Sequence, residues 1–390
     1  MIHRIFIEIL ITILLSDLYF DRHYLRHRFK KHPWHRLWWW LPALVMTGYT
    51  IGLASLKTFA PKDIVWLEVY LALYGAFVAP KAIIAICSFV GLVVCRLTQS
   101  RRNYGNLVGI LLSLVALYVY FYGTSVGFRK VRVKHIEVCM RDLPPAFDGY
   151  RIVQFSDAHV GTYRDGRRKT LQRDIDSINA QHADMIVFTG DLQNILPDEV
   201  RPFRRLLASL KARDGVYSVL GNHDYSMYVE APEAVKRANE RELQQMERQM
   251  GWCLLMNEHV VVRRGQDSIV IAGEENDGRA PFPQRADLQR TLQGVGGDAF
   301  VVLLQHDPTA WRRDILPNSN VQLTLSGHTH GGQISLFGWR PTRFTYQEDY
   351  GLYDEGGRKL YVSCGMGALI PFRFNMPAEI AVITLRRGNL

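Results

Sequence analysis

Four apolar runs in the first 128 residues restrict that part of the chain to helices. They are residues 5–19, 38–53, 64–94 and 107–126. A helix needs about 20 mainly apolar residues to cross the hydrocarbon core of a bilayer, and backbone groups left unpaired there are costly. The last run meets that length, and the first two meet it with their aromatic flanks. We therefore predict an all-α transmembrane region of about four helices over residues 1–128.

Two of these runs allow alternative interpretations. The run 5–19 has the position of a signal peptide, but its leading basic region is short and no small-residue cleavage site follows, which favours an uncleaved span. The run 64–94 has 31 residues, more than one span needs and few for two. Pro80 could kink one long helix, or Pro80-Lys81 could form the turn of a hairpin. A buried polar turn would leave backbone groups unpaired, so we favour the kinked helix.

The positive charge of the chain is concentrated in its N-terminal third. Residues 1–134 contain 17 Lys and Arg against 5 Asp and Glu, whereas the remainder contains 30 against 32, within a net charge of +10. A nucleic-acid-binding surface needs clustered basic residues, so the charge-balanced remainder makes nucleic acid an unexpected partner. The basic residues instead flank the apolar runs.

These basic residues predict which side of the membrane each loop faces, because cytoplasmic loops carry an excess of Lys and Arg. The loop 21–37 is expected inside, since it contains Arg22, Arg26, Arg28, Lys30, Lys31 and Arg36. The segment 96–102 is a second expected inner loop, and Lys57 and Lys62 mark a weaker one. Four spans then place the C-terminal part on the external side. The basic segment 129–134 opposes this orientation, and a fifth span would reverse it.

Residues 129–390 alternate between strand and helix patterns. The segment 131–138 alternates polar and apolar residues as a half-buried strand does. Further strands are expected at 150–155, 185–189, 216–220, 258–263, 268–273, 299–304 and 321–325, with helices at 167–180, 198–210 and 232–250. This alternation indicates a layered α/β domain. Such sheets place their chemistry in the loops at strand ends.

Five short blocks rich in Asp, Asn and His each follow the short apolar run of a predicted strand. They are Asp157-Ala158-His159, Gly190-Asp191, Gly221-Asn222-His223-Asp224, His306-Asp307-Pro308 and Gly327-His328-Thr329-His330. Carboxylate oxygen and imidazole nitrogen suit divalent ions such as Mn, Zn, Fe or Ni. A single block would be an ordinary turn or loop, but five together predict a two-metal centre. The five cysteines include no Cys-x-x-Cys, so neither a disulfide framework nor a thiolate metal site is expected.

At these blocks the chain resembles the calcineurin-like metallophosphoesterase superfamily, whose pattern is Asp-x-His, Gly-Asp, Gly-Asn-His-Asp/Glu, His and Gly-His-x-His. The resemblance covers about residues 148–385. The segment 327–333 and the tail 363–379 are similar to the membrane-associated branch of YkuE- and YaeI-type phosphodiesterases, itself similar to UDP-2,3-diacylglucosamine pyrophosphohydrolases. The resemblance implies a four-layer α/β/β/α sandwich over residues 129–390, with two metals at one edge of its sheets.

The resemblance also implies which residues bind the two metals. The first metal would be held by Asp157, His159, Asp191 and His330. The second would be held by Asp191, Asn222, His306 and His328, with Asp191 bridging. A bridging carboxylate suits two cations that clamp the attacking and leaving oxygens of a phosphoryl group.

His223 is the expected general acid or phosphate contact, because it lies beside Asn222 and cannot easily reach the same metal. Many relatives place an Asp three residues after the bridging Asp to orient this histidine. Here that position is Asn194, whose side chain can still hydrogen-bond His223 but would favour the imidazolium less. Cys364 stands where relatives often carry Arg. Arg373 is then the basic candidate for a phosphate contact, or else a salt-bridge partner of Glu379.

These predictions define three hypotheses for function. The first is a membrane-anchored two-metal phosphoesterase that hydrolyses phosphodiester or phosphomonoester bonds of an envelope or lipid-linked substrate through a metal-bridging hydroxide. The second is a UDP-2,3-diacylglucosamine pyrophosphohydrolase of lipid A biosynthesis, whose substrate is cytosolic. The third is a non-enzymatic membrane binding protein. The expected cofactors are two divalent metal ions, and the expected partners are a phosphate-ester substrate and a bilayer, namely the bacterial inner membrane.

Overall fold

The computed structural model describes residues 2–30, 34–56, 61, 63–164 and 166–388. The chain divides into two compact units, Met1–Gly123 and Thr124–Leu390. Three basic residues used above to orient the loops, namely Lys31, Lys57 and Lys62, lie outside the described residues. The domain boundary between residues 128 and 129 stays a prediction.

The first unit is helical. Its helices are α1 (Phe6–Phe20), α2 (Arg26–Arg28), α3 (His35–Ala54), α4 (Val65–Leu73), α5 (Ala79–Thr98) and α6 (Gly105–Tyr122). A π-helical turn, Tyr74–Val78, joins α4 to α5, so that Val65–Thr98 is one continuous helix of 34 residues. Pro80 has no N–H to donate, and the wider π-helical turn just before it is a common way to accommodate such a position. The prediction of one helix through Pro80 is confirmed, and the hairpin alternative is wrong.

Three helices within the described residues are long and apolar enough to cross a bilayer. They are His35–Ala54, Val65–Thr98 and Gly105–Gly127. The first apolar run forms the 15-residue α1, which a π-helical turn, Asp21–Leu25, continues into α2. Glu8, Asp17 and Asp21 interrupt its apolar surface. A fourth span formed by this run therefore stays a prediction.

Charged residues within and beside the apolar runs pair with each other. Lys81 Nζ donates to both carboxylate oxygens of the buried Asp17, at distances of 2.7 and 2.8 Å. Arg36 makes a bidentate pair with Asp21. Pairing reduces the cost of placing charge among apolar helices. These pairs join α1 to α5 and the segment after α1 to α3.

The second unit contains two six-stranded sheets. Its strands are β1 (Val131–Met140), β2 (Arg151–Phe155), β3 (Met185–Thr189), β4 (Val216–Val219), β5 (Cys253–Leu254), β6 (Glu258–Arg264), β7 (Asp267–Gly273), β8 (Phe300–Leu304), β9 (Leu323–Ser326), β10 (Gly351–Glu355), β11 (Arg358–Val362) and β12 (Ala378–Arg387). The first sheet has the order β1-β12-β2-β3-β4-β5 and is antiparallel only between β12 and β2. The second has the order β10-β11-β9-β8-β7-β6 and is parallel except at its two outer pairs.

Both faces of each sheet are covered by packed apolar residues, so the second unit has four layers. Between the sheets, Ile152 and Val187 of the first pack with Ile271 and Val302 of the second in one buried cluster. On the outer face of the first sheet lie α7 (Arg168–Asn179), α8 (Arg204–Leu207) and α9 (Glu233–Gln249); on that of the second lie α10 (Leu288–Thr291) and α11 (Leu316–Asn318). The predicted α/β/β/α sandwich is therefore confirmed.

One predicted helix is largely absent. Instead of a helix over 198–210, the structure has two short 3₁₀ turns, Pro197–Glu199 and Arg201–Phe203, followed by the four-residue α8. Pro202 lacks an N–H and disfavours helical geometry in the residue before it.

Candidate metal centre

The structure brings the five blocks to one edge of the two sheets. Strands β2, β3 and β4 are parallel neighbours in the first sheet, and β8 and β9 are parallel neighbours in the second. Their carboxyl ends deliver, in the same order, the blocks that begin at Asp157, Gly190, Gly221, His306 and Gly327. Direct hydrogen bonds join the two sheets here, from Gln154 Nε2 to the Ser326 carbonyl at 2.8 Å and between His306 Nδ1 and the Thr189 carbonyl at 2.6 Å.

Asp157, His159 and His330 form the first group of side chains, with one ligand atom of each within 4.8 Å of the others. His330 Nε2 lies 3.5 Å from Asp157 Oδ1, and the stacked rings of His159 and His330 have centroids 5.2 Å apart. Asp191 adjoins this group, since its Oδ2 lies 3.7 Å from His159 Nε2.

Asp191, His306 and His328 form the second group. His306 Nε2 lies 3.3 Å from Asp191 Oδ2. Asn222 joins this group, because its Oδ1 lies 3.2 Å from His306 Nε2 and 2.7 Å from His328 Nδ1. Asp191 thus belongs to the second group and adjoins the first through His159, which is the place that the resemblance implies for a bridging carboxylate.

Five of these residues have a left-handed backbone conformation. Positive φ angles occur at Asp157 (50°), His159 (42°), Asp191 (63°), His328 (74°) and His330 (51°). Positive φ is uncommon outside glycine and costs on the order of 1–3 kcal/mol per residue where the surroundings enforce it. Such conformations cluster at functional sites, and here they turn successive side chains of each block toward the same centre.

Two glycines allow the blocks to approach each other closely. A Cβ on Gly221 would lie 2.2 Å from Asp191 Oδ1, and one on Gly327 would lie 2.4 Å from Asp157 Oδ2. Neither distance leaves room for a side chain. The glycines in the Gly-Asn-His and Gly-His-x-His blocks are therefore needed for space.

Asp224, the last residue of the third block, holds two of these loops together. Its Oδ2 accepts hydrogen bonds from the backbone N–H groups of Asp191 (2.8 Å) and Gly221 (2.9 Å), and its Oδ1 from those of Leu192 (2.9 Å) and Gln193 (3.3 Å). Burial raises the pKa of this carboxyl group to about 7. This role of Asp224 was missed from sequence, although the residue ends the third block.

The protonation states of several predicted ligands suit metal binding. Burial lowers the pKa of His159 to about 3 and that of His330 well below its ordinary value, so both rings are neutral at pH 7. Burial opposes ionisation of Asp191, but His306 and His223 hold its pKa well below the ordinary value. Burial likewise opposes protonation of His306, yet Asp191 and Asp157 raise its pKa to about 10. The His306 ring would therefore have to lose a proton before it could bind a metal.

The distances and donor atoms fit a pair of divalent cations. The contacts of 3.3–3.7 Å between imidazole nitrogen and carboxylate oxygen are longer than hydrogen bonds. Two ligands of one ion, each about 2.0–2.2 Å from it, lie roughly 3–4 Å apart. Within the described part of the chain, the buried Nε2 of His159 has no hydrogen-bond partner, and a cation beside Asp191 would satisfy it. The assignment of each ligand to a metal stays a prediction.

His223 lies on the side of the first group. One of its ring nitrogens is within 4.8 Å of ligand atoms of His159 and Asp191. Its Nδ1 contacts the main-chain carbonyl of Asn194 at 2.5 Å, whereas the Asn194 side chain donates to Thr162 Oγ1 at 2.9 Å. The hydrogen bond that the Asn194 side chain could have made to His223 is therefore made by the Asn194 main chain instead. Glu199 fixes the main chain at Asn194, because its carboxylate accepts the Asn194 N–H at 2.6 Å.

Arg373 supports the loop beside the site instead of facing a substrate. It is fully buried, and its guanidinium donates to the carbonyls of Cys364, Gly365, Gly367 and Met376 at 2.6–3.1 Å. Glu379 instead accepts hydrogen bonds from the hydroxyls of two tyrosines, namely Tyr350 and Tyr361. Both interpretations of Arg373, as a phosphate contact and as a partner of Glu379, are therefore wrong.

Two tyrosines contact predicted ligands and were missed from sequence. The Tyr346 hydroxyl lies 2.9 Å from His328 Nε2, on the opposite side of the ring from Asn222. The Tyr228 hydroxyl accepts from Asn222 Nδ2 at 2.7 Å, and its ring packs on His223 with centroids 4.4 Å apart. Partners of this kind orient ligand side chains. Neither tyrosine has a local sequence signal, since only the fold brings them to the site.

Known protein families match both parts of the chain. A family described as "Probable Calcineurin-like phosphoesterase, transmembrane domain" matches residues 3–128, and one described as "Calcineurin-like phosphoesterase" matches residues 150–332. The first of these matches and the three apolar helices agree that the chain is a membrane protein. The match also agrees with the transmembrane region that we predicted from the apolar runs.

Individual relatives support the same assignment. The chain is 33% identical over 255 residues to "Uncharacterized metallophosphoesterase YkuE" of Bacillus subtilis, covering 63% of this chain and 82% of the relative. It is 30% identical over 288 residues to "Transmembrane protein with metallophosphoesterase domain" of Danio rerio, covering 72% and 63%. It is 28% identical over 332 residues to "Uncharacterized metallophosphoesterase Cj0846" of Campylobacter jejuni, covering 82% of each. The predicted resemblance is confirmed: the chain belongs to the calcineurin-like metallophosphoesterase family and has a transmembrane domain at its N-terminus.

Proposed function

We propose that this protein is a two-metal phosphoesterase that hydrolyses phosphodiester or phosphomonoester bonds of a lipid-linked or envelope substrate. The observation that carries the proposal is the position of Asp191, whose Oδ2 lies 3.7 Å from His159 Nε2 and 3.3 Å from His306 Nε2. A carboxylate placed between two groups of nitrogen and oxygen ligands suits two adjacent cations. Bound divalent ions would polarise the phosphoryl oxygens and lower the pKa of a water molecule.

Residues of the protein then contact the substrate and transfer a proton to its leaving oxygen. His223 is partly exposed next to His159 and Asp191, so it can reach a leaving oxygen and donate a proton to it. The Asn194 carbonyl at its Nδ1 requires that nitrogen to carry the hydrogen, which leaves Nε2 for the transfer. Asn222 supplies a neutral oxygen and so limits the negative charge that faces an anionic substrate.

The test is hydrolysis by the purified full-length chain with Mn, Zn, Fe(II) or Ni. The substrates are a chromogenic phosphodiester, a phosphomonoester and UDP-2,3-diacylglucosamine. Asp191→Ala should abolish both turnover and stoichiometric metal binding, whereas the matched control Asp176→Ala, an exposed residue of α7, should retain both. His223→Asn should lower kcat by roughly 10²–10⁴-fold, with the largest loss for poor leaving groups. Turnover that survives Asp191→Ala would refute the two-metal assignment, and inactivity of the wild-type chain on every substrate would favour a binding protein.

We further propose that the catalytic domain lies outside the cytoplasmic membrane of a bacterium. If the basic loop 21–37 is inside, α3 leads outward, the helix Val65–Thr98 returns, and α6 leads outward again. Residues 96–102 then fall inside, in agreement with their three arginines. This result does not depend on whether α1 spans the bilayer, since α1 changes only the side of the N-terminus.

The alternative function, hydrolysis of UDP-2,3-diacylglucosamine, needs a cytosolic catalytic domain because that substrate is cytosolic. A reporter fused to the C-terminus distinguishes the two. Activity of a phosphatase reporter that folds only outside the cytoplasm supports the external phosphoesterase. Fluorescence of a reporter that folds only in the cytosol, together with UMP release from the nucleotide-linked lipid, would support the alternative instead.

A further inference from the structure

A short loop beside the predicted metal centre exposes several large apolar side chains. We define the aromatic loop as residues 336–344. Phe337 and Phe344 are 109% and 81% exposed, while Leu336 and Trp339 are 40% and 43% exposed. Leaving a Phe side chain in water instead of burying it forgoes roughly 1.5–3 kcal/mol. Several such residues at one protruding turn indicate a surface that is covered in the working protein.

The aromatic loop is built to present these side chains. Leu336 and Trp339 exchange two backbone hydrogen bonds of 2.9 Å, which close a tight turn with Phe337 and Gly338 at its tip. Both tip residues have positive φ angles, 52° and 83°. The rings of Trp339 and Phe344 meet edge-to-face with centroids 5.6 Å apart. Apolar exposure is therefore a feature of an ordered turn.

Polar contacts at the base of the loop fix it to the domain. Arg340 donates to both carboxylate oxygens of Asp349, at 2.6 and 2.9 Å, and Thr342 Oγ1 donates to the same carboxylate at 3.0 Å. A Cβ on Gly332 would lie 3.2 Å from Pro341 Cδ, which shows how closely the loop packs on the segment after His330.

The aromatic loop is flanked on one side by a predicted ligand and on the other by a residue that contacts one. His330 precedes its first residue by six positions. Tyr346 follows its last residue by two, and the Tyr346 hydroxyl contacts His328 Nε2 at 2.9 Å. Both flanks of the loop are therefore attached to side chains of the metal centre.

The aromatic loop itself carries basic and no acidic residues. Its two arginines are Arg340 and Arg343. Arg340 is paired with Asp349, which leaves the exposed Arg343 as the basic residue available to an anionic surface. Aromatic side chains at the level of the headgroups, accompanied by basic residues, are the composition of segments that lie in a membrane interface.

We infer that the aromatic loop inserts into the lipid surface of the membrane that carries the chain, and so holds the metal centre at the level of lipid phosphate groups. The helices of this membrane protein keep a bilayer close at all times, which raises the effective concentration of this occupant above that of any free partner. The inference rests on membrane association and not on turnover. It extends the proposed function, because a site held there would act on phosphate esters of lipids.

The experiment measures the depth of the loop in the full-length chain. Phe337→Cys is made in a Cys253→Ser background, labelled with a bimane fluorophore and placed in nanodiscs of phosphatidylcholine with a minority of phosphatidylglycerol. Because the Phe337 side chain is fully exposed, its replacement removes no core packing. The control label is at Val235→Cys. Val235 lies on α9, outside the aromatic loop, and is 45% exposed. Background labelling is measured in the Cys253→Ser protein itself.

Lipids carrying a shallow nitroxide should quench the label at residue 337 several-fold more strongly than the label at residue 235, and aqueous iodide should do the reverse. Equal quenching at both positions would overturn the inference. A label shielded from iodide but untouched by the nitroxide lipid would also overturn it, by assigning the loop to a protein contact. If the chain hydrolyses soluble esters but the lipid nitroxide does not quench the label, the insertion of the loop is refuted and the proposed function stands. If the lipid nitroxide quenches the label but no ester is hydrolysed, the proposed function is refuted and the insertion of the loop stands.

Discussion

Asp224→Asn is a nearly isosteric change that tests how the metal centre is held. Each carboxylate oxygen of Asp224 accepts two backbone N–H groups, those of Asp191 and Gly221 on one oxygen and those of Leu192 and Gln193 on the other. An Asn side chain offers one oxygen and one NH₂ group. Whichever way the amide is turned, two backbone N–H groups lose their acceptor and face another donor.

The size of the effect follows from these contacts. A hydrogen bond to a charged group contributes about 1.5–3 kcal/mol, so that losing two would cost about 3–6 kcal/mol. Removing a buried charge offsets part of this loss, because burial raises the pKa of Asp224 to about 7. We therefore expect the unfolding free energy to fall by about 3 kcal/mol. In a domain of this size each 1 kcal/mol corresponds to about 2–4 °C, which gives a decrease in Tm of about 6–12 °C.

The assay is thermal unfolding of the full-length chain in nanodiscs, followed by tryptophan fluorescence at pH 8. The matched control is Asp148→Asn, because Asp148 accepts one backbone N–H, that of Arg387 at 3.0 Å, at an exposed position. The control should change Tm by no more than about 2 °C. A Tm of Asp224→Asn that stays as close to wild type as the control would refute the view that this carboxylate holds the loops.

Three further substitutions test other contacts. Tyr346→Phe removes the hydroxyl at His328 Nε2 and should weaken metal binding about 10–100-fold, measured by metal titration; unchanged affinity would show that the hydroxyl does not orient the ring. Asn194→Ala removes only the side-chain bond to Thr162, so stability should fall by about 1 kcal/mol while kcat stays near wild type; a collapse of kcat would contradict orientation of His223 by the main chain. Burial raises the pKa of Glu274 to about 8, above the roughly 4.3 of an unfolded Glu. The unfolding free energy should therefore decline as pH rises from about 4.3 to 8, and Glu274→Gln should remove that decline. Wild-type and variant proteins whose unfolding free energies change equally with pH would refute this role of Glu274.

The fold and the gathering of the site were predictable because both follow from strand ends. The apolar runs before Asp157, Asp191 and His306 are buried strands, and the carboxyl ends of parallel neighbours lie at one edge. Residue type and chain order were enough to infer that edge. The C-terminal strands β10 to β12 were not predicted. β10 and β11 have five residues each and are separated by a tight turn, whereas the ten-residue β12 was missed although its apolar pattern is that of a buried strand.

The contacts of individual side chains were not predictable, because they depend on residues distant in sequence. Asn194 stands where relatives place an Asp, yet its side chain meets Thr162, 32 positions earlier, and its carbonyl takes the contact with His223. Arg373 is a basic residue near the site, yet carbonyls of the segment 364–367 surround its guanidinium. Which of several polar atoms a side chain meets is decided by the packed loops, and residue type alone does not reveal it.

The left-handed backbone of the site explains why buried carboxylates outside the ligand set matter. The loop that carries Asp191 has a conformation that L-residues disfavour, and hydrogen bonds from the protein help to hold it. Asp224 and Glu199 accept, between them, the N–H groups of Gly221 and of residues 191–196. Charged acceptors make the strongest hydrogen bonds available to a backbone N–H. Preorganisation of the centre therefore depends on these two carboxylates, and their substitution should lower stability even with the predicted ligands intact.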